Sequence, residues 1–206
     1  MNFKDKVLFL GDSITRHYFP YAKDYMCKYA VEAVIPEKWV SCQWKQIRAI
    51  NYSLKERRKY KGRKINADTV HFNFGLHSVK LPNKGHDQNV QKVDEKEFIK
   101  YEYELEEQIT TLNEIGIKNI IFTNTTPSPK NHKARNNEDI IKLNEIAYKI
   151  TKNYQIPYND IYSFVKNQEN YKLLYTRPLA ENNCHFDEKG RRILGQQVAE
   201  FVLSNM

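Results

Sequence analysis

The stretch KVLFLGDSITRHYF, Lys6–Phe19, runs from the apolar block Val7-Leu8-Phe9-Leu10 into Gly11-Asp12-Ser13 and then into a spaced set of apolar and aromatic side chains. A short apolar run closed by glycine reads as a buried strand and the spacing beyond it as a helix, so the segment predicts strand, tight turn, helix. Ser13 stands at the junction, where two readings are open: its oxygen caps the helix, or its hydroxyl is a nucleophile presented at a strand end. Pro20 sits inside the helical spacing. Because proline is best tolerated in a first turn, the regular helix is expected to start there, with Thr15 to Phe19 as a loop.

The same alternation continues outward. Ala30 to Ile35 predicts a second strand, and Ser41 caps a helix whose apolar stripe is Trp44, Ile47, Ile50 and Leu54. In Asp68 to Gly75, Val70, Phe72 and Phe74 alternate with His71 and Asn73, the period of a strand. Leu76 to Asp94 is polar, carries Pro82 and Gly85, and reads as a loop directly after that strand, a common place for function. Phe98, Tyr101, Leu105, Ile109 and Leu112 mark a helix over Glu95 to Ile115, closed by Gly116. Lys118 to Asn124 is a strand followed by the proline turn Thr125 to Pro129. Asn137 is expected to cap the next helix, Pro157 to Tyr162 to form a short strand, and Asp187 to cap a last helix through Ile193, Val198, Phe201 and Val202.

This order implies an α/β fold: a three-layer α/β/α sandwich on a mainly parallel, flavodoxin-like sheet of about five strands. A length of 206 residues suits a single domain over 1–206. Sites in such sheets lie beyond the strand C-termini, which would gather Gly11-Asp12-Ser13, the Asn73 to His77 stretch and the loop after Thr123.

No apolar run is long enough for a signal-peptide core or a membrane span, and three cysteines, Cys27, Cys42 and Cys184, have no paired spacing. Free thiols and a cytoplasmic location are therefore expected. The net charge of +8 is partly concentrated in Lys55 to Lys64, which reads as the wet end of a helix and its exit loop. Nucleic-acid binding is not expected, since a phosphate groove needs more than a run of charge.

Near the far end of the chain, His185 lies in Glu181-Asn182-Asn183-Cys184-His185-Phe186-Asp187, just before the last helix. An imidazole there can take the proton of a serine hydroxyl at a strand end, whereas Cys184, His185 and Asp187 match no metal-ligand spacing. With these blocks the chain resembles the SGNH hydrolases, the GDSL-like esterases or lipases, in a carbohydrate-esterase variant. The resemblance runs from Gly11-Asp12-Ser13-Ile14 to His185.

It implies Ser13 as nucleophile with its backbone N–H in the oxyanion hole, and Asp12 as support for the turn. Where the family carries Gly-x-Asn this chain has Gly75-Leu76-His77, so His77, or Asn73 in an asparagine-glycine-leucine variant, is the second oxyanion donor. No glycine matching the family's second block lies between Val34 and Gln43, which leaves Glu37, Lys38 or a neighbouring amide in its place. The family's Asp-x-x-His appears as Asn182-Asn183-Cys184-His185. Asn182 is then the group that orients His185 through its carbonyl oxygen, with Glu181 and Asp187 as compensating acids.

The implied activity is hydrolysis of a carboxylic ester without metal or organic cofactor, with removal of a small acyl (acetyl) group from a carbohydrate as the preferred reaction. The partner is thus a small-molecule or glycan acyl ester. Tyr18, Phe19 and Trp39 line its pocket or belong to the core. An O-acyltransferase and a catalytically weakened glycan-binding protein are the alternatives, the second suggested by Asn182 and the substituted Gly75-Leu76-His77 block.

Overall fold

The computed structural model describes residues 3–36, 59–60, 63–64, 67–81, 92–129, 132–176 and 183–206. Strand β1 (Asp5–Gly11) leads into helix α1 (Ser13–Cys27) and strand β2 (Val31–Val34). After the two-residue strands β3 (Lys59–Tyr60) and β4 (Arg63–Lys64) come β5 (Thr69–Asn73), α2 (Glu95–Glu114), β6 (Asn119–Thr123) and α3 (Asn137–Asn153). The last elements are β7 (Tyr158–Asn159), the short α4 (Ile161–Lys166), a 3-10 turn at Tyr171–Leu174 and α5 (Glu188–Ser204).

The main sheet has the order β2-β1-β5-β6-β7, and every pairing in it is parallel. β1 and β5 are buried on both faces near their C-terminal ends, as central parallel strands must be when helices cover each side. Helix α1 packs on α5, and α2 packs on α3, giving the expected three-layer sandwich. Phe9, Phe72 and Phe122, one from each central strand, are fully buried, and each is worth roughly 2–3 kcal/mol of transfer free energy. After β2 the chain returns to the other side of β1 to lay down β5, so the strand order reverses between β1 and β5. That reversal opens a crevice beyond their C-terminal ends, and Ser13 is placed two residues past the end of β1.

Gly11 is required at this point by a close approach: a Cβ there would lie 2.1 Å from Thr15 Oγ1 and 3.0 Å from the Asn73 carbonyl oxygen. Register aligns Gly11 with Asn73, Asn73 with Thr123, and Thr123 with Asn159, so a row of small and polar residues ends the strands together.

Several local expectations are corrected. Helix α1 begins at Ser13 and runs through Pro20, so Thr15 to Phe19 is helix and not loop. Proline removes only the bond to the Arg16 carbonyl; Arg16 and Pro20 are exposed, while Ile14, Thr15, Tyr18, Phe19, Ala22 and Met26 are buried along the opposite face. Lys59–Tyr60 and Arg63–Lys64 pair as an antiparallel ladder where the basic run was read as helix end and exit loop. Asn136, one residue before the expected Asn137, caps α3 by accepting the Asp139 N–H. The fifth strand stops at Asn159 because Asp160 caps α4, accepting the Ser163 N–H. The helix expected after Ser41, with Trp39, Glu37 and Lys38, lies outside the described residues, as do Glu181 and Asn182.

Candidate active site

Asp12 is the N-cap of α1, and its carboxylate accepts the Ile14 N–H at 2.8 Å. The Arg16 N–H goes to the Asp12 carbonyl. Ser13 is the first helical residue, so its N–H has no acceptor within the helix and points out of the N-terminus. The two readings of the opening segment thus divide between neighbours: Asp12 caps, and Ser13 keeps its hydroxyl for another partner.

That partner is His185. Ser13 Oγ lies 2.9 Å from His185 Nε2, across 172 residues of sequence. On the other side of the ring, His185 Nδ1 is 2.9 Å from Asn183 Oδ1, which also accepts the His185 backbone N–H at 3.0 Å. A group that accepts a backbone N–H must be the amide oxygen, and an oxygen facing Nδ1 requires the proton to be on Nδ1. In the neutral ring Nε2 is then the acceptor, and the Ser13 hydroxyl donates to it. Burial holds His185 below the ordinary histidine range, with Arg135, Arg191 and His77 adding to the shift and Asp12 opposing it.

The group that meets His185 Nδ1 among the described residues is thus Asn183, neighbour in sequence to the expected Asn182, which lies outside them. Asp187 does not compensate for a missing acid, because its carboxylate is committed to the Gly190 N–H as the cap of α5.

Asn73 is corrected as an oxyanion donor. It is buried, and its Nδ2 donates to the Thr123 carbonyl at 2.9 Å and to the Asn124 carbonyl at 2.5 Å, so both amide hydrogens tie β5 to the end of β6. Gly75 has φ +143°, and a Cβ there would meet Leu143 Cδ2 at 2.4 Å and Thr125 Oγ1 at 2.7 Å. It turns the chain out of β5 and into the Leu76 to Val79 turn, which exposes His77 within electrostatic reach of Asp12 and His185. Although the side chain reaches solvent, the packing around it desolvates the His77 ring and lowers it below its ordinary range, with the Asp12 charge opposing. Burial raises the Asp12 carboxyl, and His77 and the Ile14 and Thr15 N–H groups pull it back.

Tyr18 and Phe19 are core residues: Tyr18 is fully buried with its hydroxyl toward Thr15 Oγ1, and Phe19 packs edge-on against Phe9. Sequence reasoning missed His17, whose ring centroid is 4.8 Å from that of His185 and which is pushed down to about 4, chiefly by burial and then by His185. His17 is four residues beyond Ser13 on the same helix face, a signal hidden by treating Thr15 to Phe19 as a loop. A separate cavity of about 520 Å³, lined by Asn124, Asn144, Tyr148, Tyr158, Asp160 and Tyr162 among others, lies at the β6–β7 edge and includes neither Ser13 nor His185. Among the described residues no helix is long and apolar enough to cross a membrane.

No protein-family model matches the chain, and no curated protein matches it in sequence. Solved structures do match in fold. The lipase/acylhydrolase from Enterococcus faecalis is 18% identical with a TM-score of 0.63, over 95% of this chain and 94% of that one. The acetyl xylan esterase AlAXEase is 16% identical with a TM-score of 0.64, over 96% and 99%. Axe2-W215I, an acetyl xylan esterase from Geobacillus stearothermophilus, is 18% identical with a TM-score of 0.62, over 98% and 96%. At these identities the likeness is one of fold, an α/β/α architecture shared over nearly the whole chain.

Proposed function

We propose that the protein is a serine esterase that removes a small acyl group, acetyl by preference, from a carbohydrate. The observation that carries this reading is the Ser13 Oγ to His185 Nε2 hydrogen bond at the mouth of the sheet crevice, with the ring held in the receiving tautomer by Asn183. Ser13 attacks the ester carbonyl as its proton passes to His185 Nε2. The negative charge that develops on the carbonyl oxygen meets the Ser13 N–H at the positive end of α1, and His77 is the side-chain donor nearest in sequence to the family's asparagine. Collapse of the tetrahedral intermediate expels the alcohol, which takes the proton back from His185. Water, deprotonated by the same nitrogen, then releases the carboxylic acid from Ser13.

Asn183 orients the imidazole but carries no charge to stabilise the imidazolium formed during attack. That substitution favours a slow enzyme and supports, as a second reading, a glycan-binding protein with weakened catalysis. Preference for a sugar alcohol over water as acyl acceptor would instead mark an O-acyltransferase. Purified protein should hydrolyse a small aryl acetate and an acetylated xylo-oligosaccharide, and Ser13→Ala should lose both activities while keeping its circular dichroism spectrum and melting temperature. Equal turnover by Ser13→Ala would refute the assignment; tight glycan binding with no turnover across an ester panel would favour the binding protein.

A further inference from the structure

Ile141, Asn144, Glu145, Tyr148 and Lys149 fall on one face of α3 at i, i+3, i+4, i+7 and i+8, and that face is one wall of the cavity of about 520 Å³ at the β6–β7 edge. Glu145 and Lys149 are the charged residues expected on an outer helix face, but Ile141 and Tyr148 beside them are 43% and 50% exposed. The other wall is built at the strand ends: Asn124 directly follows β6, Asp160 directly follows β7, and Tyr158 and Tyr162 flank Asp160.

One buried amide arranges that second wall. Asn124, 2% exposed, donates from Nδ2 to the Tyr158 hydroxyl at 2.9 Å and to Asp160 Oδ1 at 2.7 Å, while its Oδ1 accepts the Tyr162 N–H at 3.1 Å. The Tyr158 hydroxyl donates in turn to the Asn144 carbonyl at 3.1 Å, which ties the two walls together. Tyr148 stands edge-on to Tyr158, with ring centroids 5.3 Å apart and planes at 79°, and Phe122 stacks on Tyr158 at 5.9 Å. Two phenol rings thus form a corner before any ligand arrives, so little ordering is left for binding to impose. Asp160 Oδ1 also accepts the Ser163 N–H, and among the described residues this leaves Oδ2 for a ligand.

The charges around the corner balance. Asp160 and Glu145 share the lining with Lys149, and Lys152 Nζ stands 6.0 Å from the centre of the Tyr148 ring. Two acids against two lysines offer an ionic ligand no net counter-charge, and a hydrocarbon chain would strip water from all four. Aromatic rings rimmed by charged hydrogen-bonding groups suit a molecule with apolar faces and hydroxylated edges. A neutral pyranose has that form, since C–H bonds line its faces and hydroxyls its perimeter.

We infer that this cavity is a second carbohydrate site, which holds one unit of a neutral oligosaccharide against Tyr148 and Tyr158, away from the reacting ester. It lies at the same C-terminal end of the sheet as Ser13, with β7 three strand positions from β1, roughly 14 Å at ordinary strand spacing. A glycan anchored there raises the concentration of its other units around the Ser13–His185 pair. That consequence rests on the carbohydrate-esterase reading, whereas the sugar site has a measurement of its own.

The test titrates the protein, isotope-labelled in its tyrosine rings, with unacetylated xylohexaose and cellohexaose and follows the ring resonances by NMR. Those of Tyr148 and Tyr158 should shift saturably with at least one sugar. Tyr148→Ala should weaken that affinity about tenfold, and Tyr148→Trp, which keeps a stacking face, should restore most of it. Because Tyr148 packs on Tyr158, Ser163→Trp supplies a second variant that fills the cavity from α4 with both rings in place, and it should weaken binding as much. Saturable ring shifts support the site even where no ester is cleaved and the esterase reading fails. Ester hydrolysis with both rings unmoved by either sugar overturns the site and leaves the esterase standing. Shifts produced by decanoate or tetramethylammonium but by neither sugar, or unchanged sugar affinity in both Tyr148→Ala and Ser163→Trp, also overturn it.

Discussion

His185 Nδ1 sits 2.9 Å from Asn183 Oδ1, so a neutral amide occupies the place where a serine hydrolase would gain most from a carboxylate. Asn183→Asp should raise the His185 pKa and raise kcat on an aryl acetate by about tenfold or more, whereas Asn183→Ala should lower it by about tenfold. Steady-state rates of both variants check this, and unchanged rates in both would remove Asn183 from the mechanism.

The pH profile follows from the same ring. His185 must be neutral to accept the Ser13 proton, and burial holds its pKa below the usual 6.5. Its unprotonated form therefore persists to lower pH, so kcat/KM should rise along an acidic limb centred below that value and be flat near pH 7. Asn183→Asp should move the limb upward. A limb above pH 7 in the wild type would contradict the proposed environment of His185.

Asn73 separates two roles that its position left open. Its amide hydrogens satisfy the carbonyls of Thr123 and Asn124, and Asn73→Ala strands both in a buried setting at a cost of about 2–4 kcal/mol. A denaturant titration should show that loss. A variant of wild-type stability with a collapsed kcat would mark Asn73 as an oxyanion donor after all.

Gly75 combines a left-handed φ of +143° with no room for a methyl group. Gly75→Ala should destabilise the fold by about 2–4 kcal/mol and lower activity by shifting the turn that carries His77. The check is thermal unfolding alongside turnover.

On the far layer, Glu104 in α2 is 5% exposed, and its carboxyl is pushed up to about 7, mainly by burial. Lys100, 3.8 Å away, offsets only part of this. The folded protein holds this proton more tightly than the unfolded chain, so the group's contribution falls as pH rises from about 4.5 through about 7. Glu104→Gln should therefore stabilise the protein at pH 8 by on the order of 1–2 kcal/mol and change little at pH 4. Unfolding curves at the two pH values measure the difference.

What the sequence determined by itself is what local pattern can carry. The run Val7-Leu8-Phe9-Leu10, the alternation through Val70, Phe72 and Phe74, and the helical spacing of Phe98 to Leu112 were enough for strands, helices and a parallel sheet, because burial periodicity is a property of each segment alone. The rule that such sheets bind ligands at their C-terminal ends then singled out Gly11-Asp12-Ser13. Tertiary structure decided everything that depends on a distance between segments. Packing of the α1 apolar face against the core carried the helix through Pro20, which put His17 beside His185. The Asn183 amide met the ring, and β6 claimed both hydrogens of Asn73. Asn124 gave no signal in its own neighbourhood of the chain, because its meaning lies in the Tyr158 hydroxyl and the Asp160 carboxylate that the fold brings to it. Hydrophobic periodicity is local and survives in a string of letters; hydrogen-bond partners and the balance of buried charge exist only once the chain has closed on itself.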